Sequence, residues 1–166
     1  MGGLVLPPER PAISGPLIFL AGPIQGAPDW QEPAARLLLG AEPALWVASP
    51  RRPRRDDFSY AEQVDWETWH LRRAAAQGVI VFWLAREAEH FCERAYAQTT
   101  RFELAEWKLR HERDGARLVV GIEAGFSGER YIRRRLGQDC PAIPICASLE
   151  ATCQAALELI AAAPAG

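Results

Sequence analysis

The chain has 166 residues, 49% hydrophobic and 24% charged, with a formal net charge of −2. That length suits one domain with a single sizeable core, and the balanced charge gives no global basic field for a nucleic-acid polymer. No apolar run approaches the roughly 20 residues of a membrane span. The opening stretch, MGGLVLPPERPAISGP, lacks the basic start and long apolar core of an export signal, so a cytoplasmic protein without membrane partners is expected. The four cysteines, Cys92, Cys140, Cys146 and Cys153, form no C-x-x-C pair and are expected as free thiols. Three scattered histidines have no metal-ligand spacing, and no metal is expected.

Residues 1–15 read as a loose leader before a single domain over 16–163. PLIFLAG (16–22) is a short apolar run closed by glycine, a buried strand feeding a tight turn. APDWQEPAARLLLG (27–40) reads as a helix that Asp29 can cap and Gly40 can end. ALWVASP (44–50) is a second strand, followed by the polar loop RRPRRDDFSY. YAEQVDWETWHLRRAAAQ (60–77) has helical periodicity, with Val64, Leu71 and Ala75 on one stripe. GVIVFWLA (78–85) is apolar throughout, the pattern of a central strand covered on both faces.

TTRFELAEWKLRHERDG (99–115) is a helix ended by Gly115, and ARLVVGI (116–122) a fourth strand. SGERYIRRRLGQ (127–138) is a short basic helix, and PAIPIC (141–146) an edge-like fifth strand, where proline is best tolerated. SLEATCQAALELIAAA (148–163) closes the chain as a helix capped by Ser148. Strands alternating with helices at this spacing predict an α/β domain: a doubly wound, five-stranded parallel sheet with helices on both faces. Ligands in such folds sit beyond the carboxyl ends of the strands, which selects segments 21–30, 49–60, 85–103 and 121–128.

Several motifs fall in those segments. LAGPIQGAPDW fits neither the G-x-G-x-x-G nor the G-x-x-x-x-G-K-[ST] spacing, so it is a plain turn or a close backbone approach to a ligand at Gly22. YAEQVDWETW packs aromatics with Gln63, Asp65 and Glu67, which suits either a core-facing helix or a platform for a planar base. RRPRR (51–55) is a solvated loop or a phosphate contact, and RYIRRRL (130–136) reads as helix surface. TTRFELAEW places Glu103 three residues after Thr100. The spacing fits a T-x-x-E capping box, and equally an acid presented at the start of a helix. In the second case Thr99 or Thr100 caps the helix, and the helix field favours the ionised carboxylate. Such a carboxylate at the end of a central strand can attack a sugar carbon.

Taken in order, IFLAGPIQGAPDWQEPAARLL, YAEQVDWETWHL, GVIVFWLAR, TTRFELAEW and LVVGI resemble the nucleoside 2-deoxyribosyltransferase family, and more narrowly its nucleoside 2-deoxyribosyltransferase-like bacterial branch. The resemblance spans about residues 17–135. It implies a flavodoxin-like (Rossmann-like) five-stranded parallel sheet and transfer of a 2-deoxyribosyl group between nucleobases, without cofactor or metal. It assigns the nucleophile to Glu103 and substrate contacts to Ala21, Gly22, Pro23, Asp29, Trp30, Gln63, Trp66, Glu67, Thr99 and Thr100. The implied partners are a small nucleoside or nucleotide and a free nucleobase, in a homodimer or larger homo-oligomer, with the Trp-rich second helix as an apolar interface. Two positions depart from the pattern. Gln77 and Gly78 stand where relatives have Ala-Asp, which leaves Asp65 or Glu67 to act on the base, and Ala105 stands where many have Gly. Two alternatives accompany the transferase: an N-glycoside hydrolase of a nucleoside or its 5′-monophosphate, and a non-catalytic nucleoside- or nucleotide-binding module.

Overall fold

The computed structural model describes residues 1–52 and 57–163. Six strands form one parallel sheet: β1 (Gly3–Val5), β2 (Leu17–Ala21), β3 (Trp46–Ala48), β4 (Gly78–Leu84), β5 (Leu118–Ile122) and β6 (Ile145–Cys146). Their order across the sheet is β1-β3-β2-β4-β5-β6. The helices are α1 (Gln31–Ala41), α2 (Tyr60–Gln77), α3 (Gln98–Asp114), α4 (Glu129–Asp139) and α5 (Leu149–Ala161). No helix among the described residues is long and apolar enough to cross a membrane.

The central strands show why the sheet is covered twice. Leu17, Phe19 and Ala21 of β2 and Ile80, Phe82 and Leu84 of β4 join one core cluster, with Trp66 and Leu71 of α2 and Trp107 of α3. Ile18 and Leu20, with Val79, Val81 and Trp83, enter a second cluster with Ala34 and Leu38 of α1 and Cys153 and Ala156 of α5. Successive strand side chains point to opposite faces, so a strand apolar at every position requires a hydrophobic layer on each side.

The sheet has six strands where the sequence pattern predicts five, because the supposed leader contributes β1. Gly3, Leu4 and Val5 pair in parallel with Trp46, Val47 and Ala48. Val5 and Ile13 are buried, and two indoles secure the segment: Trp66 Nε1 donates to Glu9 O at 2.7 Å, and Trp46 Nε1 to Ser14 O at 3.0 Å. A three-residue edge strand followed by Pro-Pro is too short to produce a periodic signal.

Boundaries also move. α1 continues through Gly40 to Ala41, and Asp29, one residue ahead of the Trp30 N-cap, accepts from the Glu32 amide at 3.2 Å. β6 is only Ile145–Cys146. Gly115 ends α3 in the left-handed region at φ 72°, and Ser148 caps α5, as the pattern predicts. On α2 the buried stripe is Trp66, His70, Leu71 and Ala74; Val64 is exposed. Cys92, Cys140, Cys146 and Cys153 are free thiols.

Candidate functional site

Strand order reverses around β2: the chain passes from β2 to β3 on one side, then crosses back to β4 on the other. Beyond the carboxyl ends of β2 and β4 lies a cavity of about 190 Å³. Ala21, Gly22, Pro23, Ile24 and Gln25 form one wall. The loop after β4 forms another with Glu87, Phe91, Arg94 and Tyr96. Gln98, Thr99, Thr100 and Glu103 of α3 border the third side, and Glu67 of α2 the fourth.

The first wall is held close by small residues and an indole. A Cβ on Gly22 would lie 2.4 Å from the Trp83 carbonyl oxygen and 2.6 Å from the Trp30 ring, so no side chain fits there. Trp30 is buried behind the loop and donates through Nε1 to Pro23 O at 2.9 Å. The amides of Ala88 and Glu89 donate to Gly26 O at 2.8 and 3.1 Å, and Arg94 donates to the Gln25 side chain, so the two loops are joined across the mouth. Tyr96 Oη donates to Ala85 O at 2.7 Å, and its ring packs beside Phe126. Burial, with Glu87 and Glu123 nearby, pushes the Tyr96 phenol up to about 12.

Glu103 differs from the sequence expectation in two respects. α3 starts one turn earlier than a threonine cap requires. Its N-cap is Ala97, in the left-handed region at φ 55°, with no side-chain cap. Thr99 and Thr100 are the second and third helical residues, and Glu103 is the sixth. The helix field fades within the first turn, so it does not hold Glu103 ionised. Burial instead pushes the Glu103 carboxyl up to about 8, reinforced by the charges of Glu67 and Glu106. No hydrogen bond reaches the Glu103 carboxyl among the described residues.

Glu67 is also pushed up by burial, but Gln63 Nε2 donates to its Oε1 at 2.6 Å and opposes the shift. Two carboxyls thus face one small cavity, and mutual repulsion favours a state in which the pair holds one proton.

The expected contacts divide clearly. Ala21, Gly22, Pro23, Glu67, Thr99, Thr100 and Glu103 line the cavity. Trp66 does not: it is fully buried between Phe19 and His70, with ring centroids 6.2 and 4.0 Å away. It therefore offers neither a base platform nor an oligomer interface. Trp30 and Gln63 stand one layer back. Asp29 is exposed outside the cavity, in an ion pair with Arg51 at 3.3 Å.

In the RRPRR loop, Arg51 also donates to Gln31 Oε1 at 2.9 Å, and Arg52 stacks on Phe58. Both guanidiniums thus bind protein groups rather than lining the cavity; residues 53–56 lie outside the described residues. No described residue of 121–128 lines it either.

The two departures acquire physical reasons. Gly78 pairs with Leu17 at the amino-terminal end of β4, about 20 Å of strand away from the cavity. A Cβ there would lie 1.7 Å from the Leu17 carbonyl oxygen. An acid at position 78 has neither room nor reach in this fold. Ala105 is exposed on the outer side of α3, so its methyl group does not tighten the packing behind Glu103.

Nothing in the sequence singles out Phe91, Arg94, Tyr96, Gln25 and Glu87: the carboxyl-end rule selects their segments, but no residue spacing distinguishes them. No protein-family model matches the chain, and no curated protein matches it.

Proposed function

We propose that the protein transfers a 2-deoxyribosyl or ribosyl group between nucleobases, as the resemblance to nucleoside 2-deoxyribosyltransferases implies, on a flavodoxin-like scaffold. The observation that carries this reading is the pair Glu67 and Glu103 facing one cavity at the sheet's switch point. A retaining double displacement needs one carboxylate to attack and one carboxylic acid to protonate the leaving group. A pair holding a single proton supplies both.

In this mechanism the nucleoside sugar lies between the α3 start and the Ala21–Pro23 wall. The Glu103 carboxylate attacks C1′ as the C1′–N bond breaks, and the proton passes by way of Glu67 to the departing base nitrogen. A second base then attacks C1′ of the glycosyl-Glu103 ester on the same face that the first base left. It returns its proton to the pair, and Glu103 is released. At about 190 Å³ the cavity is smaller than the roughly 300 Å³ and upward of usual ligand pockets, so it suits one compact sugar with the base at the mouth.

The hydrolytic reading on a 5′-monophosphate has its own support. Arg94 is the cation among the described lining residues, it donates to the neutral Gln25 amide, and α3 presents an uncapped N-terminus to the same cavity. The binding-module reading loses its main argument, since an acid at position 78 would not reach the cavity.

The deciding assay incubates the protein with deoxynucleosides, ribonucleosides and their 5′-monophosphates, with and without free adenine or cytosine. A base-exchanged product supports transfer, free base and sugar support hydrolysis, and binding without turnover returns the module. The same reading carries a homodimer or larger assembly. Exposed Tyr60 and Val64 on α2 replace Trp66 as its apolar surface, and sedimentation tests it.

A further inference from the structure

Gln63 looked from the sequence like a group for reading a base edge. Its amide is fully committed elsewhere. Arg52 Nε donates to Gln63 Oε1 at 2.9 Å, and arginine can only donate, so the amide orientation is fixed. Gln63 Nε2 then faces two acceptors, Pro50 O at 3.1 Å and Glu67 Oε1 at 2.6 Å. Gln63 and Glu67 lie one helical turn apart on α2, so the helix sets the reach of this contact. Glu103 receives no comparable donor among the described residues.

We propose that Gln63 is a positioning residue: its amide, oriented by Arg52, holds Glu67 as the ionised member of the carboxyl pair and so keeps the pair's proton on Glu103 in the free protein. A hydrogen bond donated to a carboxylate stabilises the charged form. The charge retained on Glu67 then disfavours a second charge on Glu103. The other ionisable groups around the pair are Glu106 on α3, Glu87, Arg94 and Tyr96 in the loop after β4, and Arg52 after β3. The lining residues of the β2 loop, Ala21 to Gln25, include none that titrates. The consequence for the proposed reaction, on which the kinetic part of this inference rests, is that the resting protein stores its proton on the nucleophile. Substrate binding must move that proton to Glu67, so Gln63 tunes how readily the pair becomes reactive.

The test labels the glutamate side-chain carboxyls with carbon-13 and follows their NMR shifts against pH. Glu67→Gln and Glu103→Gln assign the two signals. Gln63→Met removes the donor, and Gln63→Asn shortens it beyond reach, which gives two independent variants. Each should move the Glu67 titration to higher pH and the Glu103 titration to lower pH. In turnover, kcat/KM near pH 7.5 should rise by up to about tenfold, with little change on the acid side, because losing the donor destabilises only the states with Glu67 ionised and more of the singly protonated pair carries its proton on Glu67. A Glu67 titration unmoved in a folded variant overturns the proposal. Moved titrations in a protein that turns over no glycoside leave the positioning role intact and remove only the glycosyl-transfer reading.

Discussion

The starts of α2 and α3 carry nearly the same local pattern and behave in opposite ways. S-Y-A-E (59–62) forms a complete capping box: Ser59 Oγ accepts from the Glu62 amide at 3.2 Å, and Glu62 accepts from the Ser59 amide at 2.7 Å. T-R-F-E (100–103) forms none, because α3 has already begun at Gln98, with Ala97 as its N-cap. Glu62 is solvent-exposed and held below the usual carboxylate range by the hydrogen bonds from Ser59. Glu103 is enclosed and pushed up to about 8 by burial. A serine or threonine three residues before a glutamate therefore does not say whether the acid is a cap or a cavity group. The position of the first helical residue decides it, and tertiary packing sets that position.

Exchanging the two glutamates for glutamine should separate these roles most strongly. Glu103→Gln is expected to lower kcat/KM by about a thousandfold or more, the scale for removing a nucleophile, while Glu62→Gln leaves turnover unchanged. Steady-state kinetics on the substrate panel measures both.

The pH dependence of stability should differ in sign. The folded protein binds the Glu103 proton more tightly than the unfolded chain. That contribution is complete below the ordinary carboxylate range and is lost as pH rises through about 8. Glu103→Gln should therefore gain stability relative to wild type at about pH 9 and not at about pH 5. Glu62 has a lowered value, so its contribution is present at neutral pH and is lost on acidification. Urea unfolding at several pH values reads both trends, and parallel curves for the two variants would break the comparison.

Smaller effects sharpen it. Ser59→Ala should cost about 1 kcal/mol through loss of a real cap, while Thr99→Ala stays within about 0.5 kcal/mol because Thr99 caps nothing. Ala97→Gly should stabilise by about 0.5–1 kcal/mol, since alanine pays for a left-handed conformation that glycine adopts freely. Thermal and denaturant melts with the activity assay as a control check all three.

Much of this arrangement was legible in the residues. The all-apolar runs of β2 and β4 require a doubly covered parallel sheet, and the carboxyl-end rule selects the segments after β2 and β4 that build most of the cavity, though not Glu67. Glu103, Glu67 and the Ala21–Pro23 wall, which the family resemblance assigns to the substrate, line that cavity. Trp66 was misplaced because an indole on a helix looks alike whether it fills a core or supports a base; its ring packs against Phe19 and its Nε1 bonds to Glu9, both distant in sequence. β1 leaves no local signal because the strand it pairs with, β3, is some 40 residues away. The Glu103 environment was misjudged because local spacing suggested a helix field, while burial depends on loops from elsewhere in the chain.

The most direct measurement of the central claim is a covalent one. The protein is mixed with a nucleoside whose 2′-fluorine slows breakdown of a glycosyl intermediate, quenched in acid, and read by intact and peptide mass spectrometry. One glycosyl mass on the peptide carrying Glu103, absent in Glu103→Gln, is the predicted result. Release of base with no adduct on Glu103, or with the adduct on Glu67, would contradict the assignment of Glu103 as the nucleophile.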